Sequence, residues 1–198
     1  MKKRILIISV MMVLIIIISA CSNNNKEKQP PKTENGKILI VEYGDFKCPY
    51  CKKVEKNVMP TIKKDYIDTN KVEYQFINAG FLGKDSIVGS RAGNAVQKVA
   101  PNEYLTFQRN VFANQKDEDK KWLTEQFLDK EIDKLDITTQ QKTDIKKQYK
   151  TKNSEAWKKA EEQKELTEDN NIDTVPTVFI NGKKVEDPYK VEEWKKYL

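Results

Sequence analysis

Four aliphatic residues, Ile38-Leu39-Ile40-Val41, run up to Gly44-Asp45, and the chain then reads Cys48-Pro49-Tyr50-Cys51. A continuous run rich in β-branched residues is what a strand buried on both faces requires. Beyond the cysteines, Val54, Val58, Ile62 and Tyr66 recur every four positions, which gives a helix one apolar stripe. Pro49 suits the first turn of that helix. Pro60 lies inside it, removes a backbone donor and predicts a kink near Lys56. A second strand is expected from Val72 to Ile77. Strand, helix and strand within about 40 residues form a βαβ unit, so the two strands should be parallel. The two cysteines therefore fall after a strand, at the start of a helix.

The periodicity changes between Phe81 and Asn170. Ile87, Ala92, Ala95, Val96 and Val99 predict a helix stopped by Pro101, and Tyr104, Leu105, Phe107, Val111 and Phe112 predict another. Trp122, Leu123, Phe127, Leu128, Ile132 and Leu135 predict a third, and Ile145, Tyr149, Trp157 and Ala160 mark one or two more in a strongly charged stretch. No β-like alternation occurs here. The charged stretch from Lys146 to Glu168 reads as a solvated helix face. Strand character returns at Thr177-Val178-Phe179-Ile180, where Asn181-Gly182 favours a type I′ hairpin into Lys183-Lys184-Val185. A closing helix is expected from Val191 to Tyr197.

The N-terminus reads as an address. Lys2, Lys3 and Arg4 precede an apolar stretch from Ile5 to Ile18, followed by Ser19-Ala20-Cys21. This is the pattern of a secretory signal, and the stretch is shorter than the ~20 residues that cross a bilayer comfortably. Ile18-Ser19-Ala20-Cys21 resembles a bacterial lipobox, in which the cysteine is lipidated and becomes the first residue after cleavage. On this reading residues 1–20 are a lipoprotein signal peptide and residues 21–36, polar and containing Pro30-Pro31, are a flexible tether. The protein is then held at the cell membrane by a lipid anchor on Cys21, on the extracytoplasmic face. Removing the signal lowers the formal charge from +6 to +3, a lysine-rich solvated surface rather than a nucleic-acid site.

Three cysteines and no histidine bound the chemistry. A Cys-His dyad, a Ser-His-Asp triad and His-ligated zinc are excluded. With Cys21 lipidated, Cys48 and Cys51 are the only pair, and no further Cys or His exists to complete a zinc site of about four ligands. No metal or cofactor is expected. The redox reading of Cys-x-x-Cys requires a strand before it and a helix after it, which is its predicted place. Unpaired N–H groups and the positive end of the helix dipole would stabilise a thiolate on Cys48, making it the nucleophile. Cys51, one turn deeper, is the resolving thiol, and Pro49 and Tyr50 between them tune the balance.

Asp45-Phe46-Lys47-Cys48-Pro49-Tyr50-Cys51, the helical block, and Val175-Pro176-Thr177-Val178-Phe179-Ile180-Asn181-Gly182 together resemble the DsbA family of disulfide oxidases, in particular its lipid-anchored Gram-positive members. The resemblance covers about residues 37–197. It implies an α/β protein, a thioredoxin fold with an inserted all-helical domain: residues 37–80 plus 171–198 form the thioredoxin-like part and residues 81–170 the insertion. It also implies a cis-proline at Val175-Pro176, beside which the substrate peptide binds, and a buried proton acceptor at Glu42, six positions before Cys48. Where the archetypal member carries histidine this chain has Tyr50, which supplies no positive charge.

The resemblance implies a dithiol oxidase that donates its Cys48-Cys51 disulfide to exported proteins with free cysteines, acting as a monomer. A membrane oxidase or a small-molecule disulfide would re-oxidise it. Two alternatives stand beside this expectation: a reductase or isomerase using the same cysteines, and a non-catalytic lipoprotein chaperone or adaptor. Isomerases of this superfamily add an N-terminal dimerisation domain, for which the tether is too short and polar.

Overall fold

The computed structural model describes residues 36–198. The expected signal peptide at residues 1–20, nearly all of the expected tether and the lipidation residue Cys21 lie outside the described residues. Four strands form one mixed sheet in the order β2-β1-β3-β4: β1 (Ile38–Gly44), β2 (Val72–Asn78), β3 (Thr177–Ile180) and β4 (Lys183–Lys184). β1 pairs parallel with β2, as the βαβ reading requires, and antiparallel with β3. The two interior positions of β1 explain its uninterrupted apolar run: Ile40 packs on one face of the sheet, and Leu39, Val41 and Tyr43 on the other.

The helix that opens after Cys48, α1 (Pro49–Asn57), is interrupted near Lys56 as Pro60 predicts. It breaks at Val58, where φ is −111°, and resumes as α2 (Met59–Ile62) and a π-turn at Lys63–Ile67. Pro60 has no N–H to offer the Lys56 carbonyl, and the helix is distorted just ahead of the ring while the Val58 N–H still bonds the Val54 carbonyl. Val54, Val58 and Ile62 stay buried against Ile40, Val178, Ile180 and Trp194, so the apolar stripe survives the break.

The helical block contains α3 (Ser86–Val99), a 3₁₀ turn at Pro101–Glu103, α4 (Tyr104–Ala113), α5 (Glu125–Asp133), α6 (Thr139–Lys150) and α7 (Glu155–Asp169). The charged stretch thus forms two helices, the first opened by a Thr138/Gln141 capping box. The third expected helix is shorter than its apolar pattern. Thr124, extended and bonded through its side chain to the Phe127 N–H, starts α5, so Trp122 and Leu123 enter the core from the lead-in and Leu135 from the exit. Asn181 and Gly182 have φ of 48° and 79°, the two positive values of a type I′ turn. The last helix, α8 (Val191–Lys195), stops short of Tyr197.

The helical block has no core separate from the cysteine-bearing half. Phe46, Cys48, Cys51 and Phe76 belong to the same buried cluster as Phe107, Phe112, Leu128, Ile132 and Ile145. Phe46 stacks on Phe76 with centroids 5.4 Å apart and lies 5.3 Å from Phe112. Two further clusters, around Ile40 and Trp194 and around Tyr43 and Ile77, draw their buried residues from the strand-bearing segments alone. Among the described residues no helix is long and apolar enough to cross a membrane.

Candidate active site

Cys48 is the N-cap residue of α1, with extended backbone (φ −73°, ψ 118°) and Pro49 in the first turn. Its sulfur accepts the Cys51 N–H at 3.4 Å, and its thiol donates to the Val175 carbonyl at 3.4 Å. Two segments more than a hundred residues apart, the Cys-x-x-Cys turn and Val175-Pro176, therefore meet at one sulfur, and the Val175-Pro176 peptide is cis. The cysteines are both free thiols and both buried. They differ sharply in acidity. The hydrogen bond from the Cys51 thiol, with backbone N–H groups of Cys51 and Tyr50, lowers the Cys48 thiol below the ordinary cysteine value against burial and the charge of Asp45. Burial, then its bond to Cys48 and the neighbouring charges, pushes Cys51 well above that value.

Gly44 ends β1 beside the pair because nothing larger fits. A Cβ there would lie 2.4 Å from the Phe76 ring and 3.4 Å from the Cys51 sulfur. Glu42, two residues earlier, is 1% exposed and points under the site rather than out of the strand end. It accepts the Tyr74 hydroxyl at 2.8 Å. Burial, opposed by that bond and reinforced by Glu55 and Cys48, pushes its carboxyl up to about 8. The Gln108 side-chain amide donates to the Tyr74 hydroxyl and to Glu55, each at 3.0 Å, and burial pushes Glu55 up to about 7. A chain of hydrogen bonds thus runs from beneath the cysteines to the half-buried Glu55 on α1.

Tyr50 is 52% exposed beside Cys48. It carries no charge of its own, but the Lys53 ammonium lies 4.5 Å from its ring centroid. Tyr189, 40% exposed, is its neighbour at 6.5 Å, and burial followed by the charges of Cys48 and Cys51 raises its phenol above the ordinary value. A further set of bonds holds the turn from outside. The Gln115 side-chain amide donates to the carbonyls of Phe46 and Cys48 at 2.9 and 3.0 Å. Lys47 and Asp85 form a buried ion pair at 2.9 Å, and the other Asp85 oxygen accepts the N–H groups of Trp122 and Leu123.

The structure thus brings Cys48, Cys51, Glu42, Pro49, Tyr50, Val175 and Pro176 to one place, with Cys21 outside the described residues. Sequence reasoning did not single out Tyr74, Gln108, Glu55, Gln115, Lys47, Asp85 or Tyr189. Two of these carried a signal. Glu55 stands four residues after Cys51, on its helix face, and the two-residue period of β2 puts Tyr74 on the face of Phe76, the register partner of Glu42. Among the described residues, no group of three or more His, Cys, Asp or Glu side chains is placed to hold a metal ion.

A βαβ unit and a ββα unit meeting over a Cys-x-x-Cys helix cap, opposite a cis X-Pro bond, define a thioredoxin-type dithiol enzyme. The thioredoxin family model matches residues 33–198. The chain belongs to this family, among its DsbA-like protein thiol–disulfide oxidoreductases. It is similar to "Probable disulfide bond formation protein D" of Bacillus cereus, 33% identical over 75% of this chain and 68% of the relative. It is also similar to "Disulfide bond formation protein D" of Bacillus subtilis, 30% identical over 83% of this chain and 72% of the relative. The crystal structure of oxidised BdbD from Bacillus subtilis superposes with a TM-score of 0.71, covering 85% of this chain and 89% of that one at 28% identity.

Proposed function

We propose that this oxidoreductase works as a dithiol oxidase, lipid-anchored through Cys21 at the outer face of the cell membrane, and that it passes the Cys48–Cys51 disulfide to exported proteins with free cysteines. The asymmetry of the pair carries this reading. A thiolate stabilised on Cys48 favours the reduced enzyme, and whatever favours the reduced form makes the disulfide a stronger oxidant. The names of the Bacillus relatives support the same direction, and the signal and lipobox pattern supports the location.

The exchange runs in two displacements. A substrate thiolate attacks the Cys48 sulfur; the Cys48–Cys51 bond breaks, and Cys51 leaves with the electron pair and takes up a proton. Glu42, protonated near neutral pH because its carboxyl lies at about 8, is the proton donor. A second substrate thiolate then attacks the substrate sulfur bound to Cys48, closing the substrate disulfide and releasing Cys48 as the stabilised thiolate. The substrate loses two electrons and the enzyme gains them. Val175, whose carbonyl faces Cys48, offers the backbone against which the substrate peptide lies.

Redox titration of the purified protein against glutathione tests the direction. The expected potential lies well above the thioredoxin value of about −270 mV, toward the about −120 mV of a strong oxidant. The reduced form should also melt higher than the oxidised one. A potential near the thioredoxin value would instead make the protein a reductase, and full biological function of Cys48→Ser would make it an adaptor. Fractionation tests the anchor: Cys21→Ser should leave the membrane fraction, and its retention there would overturn the lipid assignment.

A further inference from the structure

Asp45 lies three residues before Cys48, fully buried, and reaches both sulfur-bearing residues and the helical block at once. Its carbonyl accepts the Cys48 N–H at 2.9 Å, and its backbone works to lower the Cys51 thiol against the burial that raises it. One carboxylate oxygen accepts the Lys47 N–H at 2.9 Å. The other accepts the Ser86 hydroxyl at 2.6 Å and the Leu82 N–H at 3.2 Å. Leu82 and Ser86 stand at the start of the helical block, Ser86 being the first residue of α3.

Among the described residues no side-chain cation is bonded to this carboxylate: its partners are the Lys47 and Leu82 N–H groups and the Ser86 hydroxyl, while its backbone carbonyl holds the Cys48 N–H. Lys47 is the nearby cation, but its ammonium is paired with Asp85, which spends its second oxygen on Trp122 and Leu123. Glu42 is the other acid at the pair and is bonded to Tyr74. Burial raises the Asp45 carboxyl above the ordinary range, and the three donors and the Lys47 charge work against it. A negative charge there works against a thiolate on Cys48.

We propose that Asp45 is the positioning residue through which the helical block governs the cysteine pair: it fixes the two sulfurs relative to one another, and its charge restrains the oxidising strength of the disulfide. The inference rests on thiol–disulfide exchange at Cys48 and Cys51 in either direction, so it stands or falls apart from the oxidase proposal.

Asp45→Asn and Asp45→Ser both delete the charge, and each keeps an oxygen for the Lys47 N–H. Each should shift the glutathione equilibrium toward the reduced enzyme by about tenfold, the equivalent of one pKa unit. The Cys48 thiolate, followed by its ultraviolet absorbance, should then titrate at lower pH than in the parent protein. A role confined to folding would lower the melting temperatures of both redox forms alike and leave equilibrium and titration where they were; that result would overturn the proposal. Should neither variant fold, carbon-13 NMR of the Asp45 carboxyl in the parent protein decides the matter. Coupling between two sites is reciprocal, so the Asp45 midpoint must be higher in the reduced than in the disulfide form. Equal midpoints would refute the electrostatic role.

Discussion

Glu42 and Glu55 hold their protons far more tightly in the folded chain than carboxyls do in water, at about 8 and about 7, and burial is the main cause for both. A group whose folded value is raised stabilises the fold fully at pH below its unfolded value and loses that contribution as pH climbs through the folded one. The stability that these two protonated carboxyls contribute should therefore decline between about pH 4.5 and 8. Glu42→Gln keeps an acceptor for Tyr74 and removes the largest of these titrations. Urea unfolding at a series of pH values should show a flatter profile for Glu42→Gln than for the parent; an unchanged slope would mean that the Glu42 carboxyl is not held protonated in the fold.

At the scale of elements, most of the secondary structure is legible in apolar spacing and turn chemistry, and the departures have local causes. The parallel β1–β2 pair and the Asn181-Gly182 hairpin lie where period and turn residues put them. Pro60 was legible as a helix breaker, and the break at Val58 falls within two residues of Lys56, whose carbonyl the proline leaves without a donor. Val58 keeps its bond to the Val54 carbonyl through the break and stays fully buried beside Ile40 and Trp194, a partnership made across the chain. The helix around Phe127 is shorter than its apolar pattern because core positions and helical positions are not the same set. Trp122 and Leu123 are buried from an extended lead-in that Asp85 holds through their backbone N–H groups. Periodicity reports burial, and a capping Thr124 reports where the helix starts.

For the molecule as a whole, the consequential feature is that one of its three buried clusters is shared by the cysteine-bearing half and the helical block. Phe46 lies between them, in ring contact with Phe76 on one side and with Phe107 and Phe112 on the other. Phe46→Ala should cost about 3–5 kcal/mol, the range for a buried phenylalanine. Because this cluster is common to both parts, calorimetry should show one transition moving down in temperature. A helical transition left in place while the rest melts early would show that the two parts fold independently. The arrangement also gives the helical block a hold on the chemistry, since Gln115, Asp85, Leu82 and Ser86 all bond the turn that carries Cys48 or its neighbours.

By itself the sequence determined the βαβ and ββα units, the helical block between them, and the placement of Cys48-Pro49-Tyr50-Cys51 at a helix start, because these rest on residues near one another in the chain. Val175-Pro176 and Glu42 were legible through family resemblance. What the tertiary structure alone decided is the environment of the sulfurs. That environment comprises the Val175 carbonyl facing Cys48, the bonded path from Glu42 through Tyr74 and Gln108 to Glu55, and the grip of Asp45 and Gln115 on the turn. Acidity and redox balance depend on burial and on charges and donors within a few ångströms. Those distances join residues far apart in sequence, and no spacing along the chain records them.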